Sequence, residues 1–122
     1  MRGSVMIVDD SVSLRSLVKL ALTQAGHEVV EASDGLDALA KLEAGGVRLV
    51  ICDVNMPRMD GISFVKAMKG QAANRFTPVV MLTTEGKSEL VAQGKAAGAK
   101  AWLVKPFKPE QLLGVVSQLM GP

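Results

Sequence analysis

Residues 5–10 read Val-Met-Ile-Val-Asp-Asp, a continuous apolar run that stops at two carboxylates. A strand with one solvent-exposed face alternates apolar and polar residues, whereas residues 5–8 are apolar at every position. Such a run is typical of a strand covered on both faces, as in a parallel sheet between two layers of helices. The stretch therefore predicts the first strand of a three-layer α/β fold.

Similar short segments recur along the chain, and longer stretches with helical spacing alternate with them. The predicted strands cover residues 5–8, 28–32, 48–52, 78–82 and 101–104, and the predicted helices cover residues 12–25, 35–44, 61–70, 86–97 and 109–120. This alternation predicts a parallel sheet whose crossover connections are right-handed. We expect one domain over residues 1–122, since this length suits a single hydrophobic core.

Composition narrows the class of protein. The chain is 48% hydrophobic and 21% charged, which is typical of a globular domain, and its apolar runs are far shorter than the ~18 residues of a membrane span. One cysteine cannot form an internal disulfide, which suits a reducing compartment. The net charge of +2 comes from scattered basic residues. We therefore expect a cytoplasmic monomer that binds neither membrane nor nucleic acid directly.

Polar side chains cluster where the predicted strands end. Asp9 and Asp10 follow the first strand, Asp53 the third, Thr83 the fourth and Lys105 the fifth. The carboxyl ends of parallel strands lie at one edge of a sheet, where ligands bind. Each Asp taken alone could simply cap a helix or form a turn. Three carboxylates together would repel one another and favour a bound cation, and oxygen ligands of this kind suit Mg²⁺.

Four motifs, taken in order, resemble the receiver domain of bacterial two-component response regulators. They are residues 5–11, the D-x-x-M-P-x-M-D-G pattern over residues 53–61, Thr83, and the Lys-Pro-Phe stretch at 105–107. The resemblance spans residues 5–120 and is strongest to single-domain chemotaxis regulators. It implies a flavodoxin-like, doubly wound sheet of five parallel strands in the order 2-1-3-4-5, with five helices.

The resemblance also implies a chemistry for the strand ends. Asp53 would be the phosphoacceptor, attacking the phosphohistidine of a partner histidine kinase. Mg²⁺ would be bound by the Asp10 and Asp53 side chains and the Asn55 main-chain carbonyl, with Asp9 acting mainly through water. Lys105 would contact the phosphoryl oxygens as a point charge. The protein would thus promote its own phosphorylation and dephosphorylation without being an enzyme for another substrate.

Further roles follow from the same resemblance. The Thr83 hydroxyl would swing inward to the phosphoryl group, and the ring of Trp102, where the family usually has Tyr or Phe, would follow it. Plain core packing is the alternative for Trp102, because tryptophan is mostly buried. Asn55 and Glu85 occupy the positions that tune dephosphorylation in the family. The Lys105–Pro106 peptide bond is expected to be cis.

Several functions share this chemistry. The first is a phosphorylation-activated signal that binds a downstream protein, with the flagellar motor switch as the candidate in chemotaxis. A phosphorelay intermediate or phosphate sink is the second, and the receiver fragment of a DNA-binding regulator is the third. An aspartyl-phosphate phosphatase is disfavoured, since that class needs Asp-x-Asp and Asn55 occupies the second position.

Two helices carry features beyond the motifs. Half of the positions in the predicted helix 109–120 are apolar, more than one sheet-facing stripe requires. The excess indicates either an exposed strip for a partner or burial at the edge of the domain. Gly94 in the predicted helix 86–97 costs about 1 kcal/mol relative to Ala, so this helix is expected to have modest stability.

Overall fold

Strands and helices alternate along the computed structural model, which describes residues 3–56, 58–84 and 88–120, apart from the side chains of residues 88 and 90. The strands are β1 (Ser4–Val8), β2 (Glu28–Ala32), β3 (Val47–Asp53), β4 (Val79–Thr83) and β5 (Ala101–Val104), and the helices are α1 (Val12–Gln24), α2 (Gly35–Leu42), α3 (Gly61–Lys69), α4 (Ser88–Ala97) and α5 (Pro109–Met120). A short 3₁₀ helix covers Ala72–Asn74. Each predicted element is present.

The predicted boundaries differ from the observed ones by one or two residues. Strand β3 includes Asp53, and β4 begins at Val79 rather than at Pro78. Proline has no N–H to donate to a ladder, although the Pro78 carbonyl still accepts from the Val50 N–H at 3.0 Å. Helix α2 ends at Leu42, two residues before the predicted end. The predicted start of α4, at residues 86 and 87, lies outside the described residues.

The five strands form one parallel sheet in the order β2-β1-β3-β4-β5, which confirms the order implied by the family resemblance. In the register of the central pair, Val8 of β1 lies beside Cys52 of β3. The residue that follows each of them, Asp9 and Asp53, is therefore placed at the same level of the same sheet edge. The fold is the doubly wound, flavodoxin-like α/β arrangement.

Two hydrophobic cores cover the two faces of the sheet. Met6 and Val8 of β1 point into the core that contains Phe64 of α3. Val5 and Ile7 point into the opposite core. This second core is closed by helices α1 and α5, through the buried residues Val18, Leu22, Leu112 and Val116. Successive side chains of a strand point to opposite faces of the sheet, and each face is covered by an apolar core. This explains the uninterrupted apolar runs.

Helix α5 settles the alternative left open by its apolar excess. Its inner residues Leu112 and Val116 are buried, and its remaining large apolar side chains are partly buried against the same core. This is burial at the edge of the domain rather than an exposed strip. Helix α1 does carry exposed apolar side chains, at Val12, Leu17 and Leu20. The two leucines line a groove of about 600 Å³ between α1 and the segment after β5.

In the part of the chain that the structure describes, no helix combines the length and the apolar character needed to cross a membrane. Cys52, the one cysteine of the chain, is buried in β3. Burial raises the pKa of its thiol, with the nearby charge of Asp53 as a second cause. Cys52 therefore behaves as a small apolar core residue.

Candidate functional site

Three carboxylates meet at the carboxyl edge of the sheet. Oxygen atoms of Asp9, Asp10 and Asp53 all lie within 4.8 Å of one another. Asp9 is fully buried and Asp53 is only 6% exposed, whereas Asp10 is open to solvent. The predicted convergence of these residues is therefore observed, and it follows from the β1–β3 register. Because Asp10 is exposed, a ligand can reach the cluster from solvent on the Asp10 side.

One lysine partly balances this negative charge. The Lys105 ammonium lies 3.2 Å from Asp9 Oδ2 and 3.4 Å from Asp53 Oδ2. Its backbone N–H donates to the carbonyl of Thr83 at 2.7 Å, which fixes the start of the loop after β5. The Lys105–Pro106 peptide bond is cis, which confirms the expectation from the family resemblance. One ammonium against three carboxylates leaves an excess of two negative charges at this edge.

The electrostatics of Asp53 reflect that imbalance. Burial raises the pKa of the Asp53 carboxyl, and the neighbouring Asp9 charge raises it further. Lys105 and the Asn55 N–H, which lies 3.4 Å from Asp53 Oδ1, act in the opposite direction. A site in which carboxylates remain mutually repelled despite a lysine is suited to a small divalent cation. The oxygen-only donor set of Asp9, Asp10 and Asp53 fits Mg²⁺ in its chemistry.

Asp9 is held by contacts that the sequence did not reveal. Its Oδ1 accepts the Ser11 N–H at 2.8 Å, while its main-chain carbonyl accepts from Arg15 Nη1 at 2.5 Å. Arg15 is itself anchored by Glu31 of β2, with Nε 3.4 Å from Oε1. Nothing in the local sequence around Arg15 indicates that its side chain donates to the main-chain carbonyl at the end of β1. Its role depends on the packing of α1 beside β2.

The end of the loop between β3 and α3 packs closely against the backbone of Asp53. A Cβ atom on Gly61 would lie 2.2 Å from the carbonyl oxygen of Asp53, so only glycine allows this approach. The Gly61 N–H donates to the Val54 carbonyl at 2.8 Å and closes the loop. Asp60 caps α3 by accepting from the Ser63 N–H at 2.8 Å. The D-G end of the motif is thus explained by close packing and capping.

The two predicted switch residues lie on neighbouring strands, β4 and the edge strand β5. Thr83 ends β4 and is fully buried, and Trp102 of β5 is level with Met81 of β4. The indole packs against α4 at Gly94, where an added Cβ would lie 2.2 Å from Cζ3. Among the described residues, its buried Nε1 has no hydrogen-bond partner. The sequence predicted Gly94 only as a residue that weakens its helix. In the structure, the absence of a side chain at Gly94 leaves room for the indole of Trp102.

The two predicted tuning residues have different outcomes. Asn55 is the second residue after β3; its side chain is exposed, and its backbone N–H lies 3.4 Å from Asp53 Oδ1. Glu85 lies outside the described residues, so its predicted role stays a prediction. Thr84, whose side chain is exposed, follows β4 at the same edge of the sheet.

Comparison with known proteins identifies relatives along the whole described fold. The family profile of the response regulator receiver domain matches residues 5–117. The chain is 39% identical over 120 residues to the chemotaxis protein CheY1 of Helicobacter pylori strain J99, covering 95% of each chain. It is 37% identical over 112 residues to protein PilG of Pseudomonas aeruginosa, covering 92% of this chain and 83% of PilG.

A solved structure gives the same result in three dimensions. The Vibrio cholerae chemotaxis protein CheY4 superposes with a TM-score of 0.94 at 48% sequence identity, over 98% of this chain and 99% of that one.

Proposed function

Because the chain belongs to the family of response regulator receiver domains, whose members are phosphoacceptor switches, we propose that Asp53 receives the phosphoryl group here. The observation that carries the proposal is the buried Asp53 carboxylate, which has a lysine 3.4 Å away and two further carboxylates within 4.8 Å. A structural ion pair would need one carboxylate for one lysine. The surplus of charge is what a phosphoryl-transfer site with a bound cation requires.

The proposed reaction is an in-line transfer from a phosphohistidine of a partner kinase. An Asp53 carboxylate oxygen attacks phosphorus, a P–O bond forms, and the P–N bond to the kinase imidazole breaks. The electron pair of that bond returns to the imidazole nitrogen, which takes up a proton from solvent. The product is an aspartyl phosphate on this chain and a free histidine on the kinase. Burial of Asp53, which raises its pKa, also keeps its carboxylate less solvated and more nucleophilic.

The remaining residues bind and orient. We propose that Asp10, Asp53 and the Asn55 carbonyl bind Mg²⁺ directly and that Asp9 contributes mainly through water. When bound, Mg²⁺ neutralises charge on the phosphoryl oxygens and favours their correct orientation. Lys105 is already directed at the acceptor, so its ammonium can pair with a phosphoryl oxygen without rearranging. The Asp9 contacts to Ser11 and Arg15 hold the edge of the site in place.

The output is proposed to pass through β4 and β5. The Thr83 hydroxyl donates a hydrogen bond to the new phosphoryl group, and Trp102 repacks against α4 as Thr83 moves. The altered surface then binds a downstream protein. Chemotaxis relatives support a chemotaxis-type role, with the flagellar motor switch as the proposed target. The cytoplasmic location remains a prediction that this role requires.

Transfer of labelled phosphate tests the proposal. A chemotaxis histidine kinase is autophosphorylated with radiolabelled ATP, freed of nucleotide and mixed with this protein in the presence of Mg²⁺. We expect the wild type to become labelled and Asp53→Asn to stay unlabelled. Asp37→Asn, which changes an acid on α2 whose carboxylate pairs with Lys41, is the matched control and should be labelled normally. Labelling of Asp53→Asn at the wild-type level would contradict the assignment.

A second arm separates signalling from relay. After labelling, the protein is mixed with a second histidine-containing phosphotransfer domain and, separately, with purified flagellar motor switch protein. Phosphorylation-dependent binding to the motor protein supports the signalling role. Rapid passage of the label to the second histidine domain, without binding to the motor protein, would support the relay role instead.

A further inference from the structure

Arg58 adopts a backbone conformation that side chains rarely tolerate. Its φ is +66°, and in the described part of the chain it is the only residue other than glycine with a positive φ. The Cβ atom crowds the backbone in this region, so a non-glycine residue stays there only when its surroundings hold it. Arg58 lies in the loop between β3 and α3, three residues after Asn55.

The contact that holds Arg58 is an ion pair with the start of α2. Its Nε donates to Asp34 Oδ2 at 2.9 Å, and its Nη2 donates to the same oxygen. Asp34 is 6% exposed, and its other oxygen, Oδ1, accepts the Asp37 N–H at 2.9 Å as the cap of α2. The two oxygens of one buried carboxylate therefore join a helix terminus to the loop. The acceptor is buried, whereas the Arg58 side chain is 60% exposed, so this is a charge-assisted contact made from the solvent side to a fixed carboxylate.

A second contact fastens the same loop to the same helix end. A Cβ atom on Gly35 would lie 2.9 Å from Met59 Sδ and 3.1 Å from Met59 Cβ. The first residue of α2 thus packs directly against the residue that follows Arg58. Together with the hydrogen bond from the Gly61 N–H to the Val54 carbonyl, these contacts fix the end of the loop that leads into α3. Asn55 lies at the other end of the same loop, next to β3.

We propose that Arg58 is a positioning residue for the magnesium site. Its ion pair with Asp34 stabilises the left-handed conformation at position 58 and so holds the loop in the shape that presents the Asn55 carbonyl to the cation. Arg58 acts through the loop backbone and does not itself contact the cation. The inference rests on the proposed function, because it takes the Asn55 carbonyl as a magnesium ligand.

The direction of the effect separates this role from simple electrostatics. Removal of a positive charge near an acidic site would by itself strengthen cation binding. Loss of loop positioning would weaken it. Arg58→Ala removes the ion pair and leaves a Cβ atom in the left-handed region, so we expect the largest loss of Mg²⁺ affinity for this variant. Arg58→Gly also removes the ion pair but accepts a positive φ without strain, so we expect it to retain more affinity than Arg58→Ala.

Calorimetric titration with Mg²⁺ alone gives the dissociation constants, and thermal unfolding in EDTA gives the stability of each metal-free variant. We expect Arg58→Ala to weaken Mg²⁺ binding by roughly tenfold, at the lower end of effects seen for residues that orient metal ligands. Asp34→Asn, which keeps an oxygen to cap α2, should also weaken binding. The double variant Asp34→Asn/Arg58→Ala should bind no more weakly than Arg58→Ala, because both changes break one contact.

The matched control is the half-exposed ion pair on α2 between Lys41 and Asp37, 3.2 Å apart, in which Lys41 also donates to the Glu31 carbonyl at 2.6 Å. Lys41→Ala also removes one positive charge but should leave the Mg²⁺ dissociation constant within twofold of the wild type. Mg²⁺ binding by Arg58→Ala that is as tight as in the wild type, or tighter, would overturn the inference, as would equal losses in Arg58→Ala and Arg58→Gly. If the wild type bound Mg²⁺ and accepted label on Asp53 while Arg58→Ala bound normally, only this inference would fail. If the wild type bound no Mg²⁺, the proposed function would fail as well.

Discussion

The contact between Gly94 and Trp102 makes a stability measurement informative. In Gly94→Ala the new Cβ would lie 2.2 Å from Cζ3 of the indole and 3.1 Å from Cη2. Carbon atoms in contact sit about 3.5–4.0 Å apart, so the indole or α4 must move by roughly 1 Å or more. Ala gains about 1 kcal/mol over Gly in a helix interior, whereas overpacking costs about 1–3 kcal/mol. We expect a net loss of up to about 2 kcal/mol, from the difference of these two effects.

A second glycine supplies a control with the same chemical change. Gly114 lies inside α5, and an added Cβ would meet no atom within 4 Å. Only helix propensity acts there, so Gly114→Ala should raise the free energy of unfolding by up to about 1 kcal/mol. The two substitutions are therefore expected to change stability in opposite directions. Urea unfolding of both variants in the same buffer measures the difference.

Fluorescence reports where the indole goes. The chain contains one tryptophan and no tyrosine, so its emission comes from Trp102. Displacement of the half-buried ring toward water should shift the emission of Gly94→Ala to longer wavelength, while Gly114→Ala should leave it unchanged. If Gly94→Ala were as stabilising as Gly114→Ala and had the wild-type emission, the packing of Trp102 against α4 would be refuted.

Four further outcomes follow from the site. Millimolar Mg²⁺ should raise the melting temperature of the wild type by several degrees but not that of Asp10→Asn; equal shifts in a thermal melt would contradict the ligand assignment. Asp53→Asn should melt higher than the wild type in EDTA at neutral pH, since it removes a buried charge repelled by Asp9, and a lower melting temperature would count against that repulsion. The Asp37 N–H and Arg58 lower the pKa of Asp34, so its carboxylate stabilises the fold above its ordinary pKa, and this contribution is lost as the pH falls through the lowered value. Melts taken from roughly pH 5 to pH 3 should therefore fall less steeply for Asp34→Asn than for the wild type. A larger side chain at Asn55, such as Asn55→Gln, should lengthen the lifetime of the labelled aspartyl phosphate by obstructing water, and an unchanged decay rate would refute this.

Much of the fold could be predicted because its strongest signals are local. An apolar run such as residues 5–8 indicates a strand covered on both faces without knowledge of its neighbours. The convergence of Asp9 and Asp53 followed from the strand-end rule once those strands were taken as adjacent. The order of the five strands needed the family resemblance, since periodicity does not determine which strands pair. Cap residues such as Asp60 were also within reach, because a cap acts within one turn.

The contacts that could not be predicted join segments far apart in sequence. Arg58 pairs with Asp34 across 24 residues, and nothing in either local pattern distinguishes Arg58 from an ordinary exposed arginine. The fit of Trp102 to Gly94 likewise depends on how α4 lies over β5, so the sequence showed only a weakened helix. The apolar excess of α5 allowed two interpretations because burial at the edge of a sheet depends on the neighbouring helix. Each case needs the tertiary arrangement rather than a longer motif.

The pairing of Val8 with Cys52 links the geometry of the site to the ability of the chain to fold. A slip of β1 by one residue against β3 would displace Asp9 from Asp53, and it would also turn Val5 and Ile7 away from the core that they share with α1. The geometry of the site and the packing of the core are thus set by the same alignment of two strands. Chains in which β1 and β3 are misaligned should fail to fold rather than accumulate as folded, inactive molecules. Cellular quality control that recognises exposed apolar surface would then remove faulty switches without testing their chemistry.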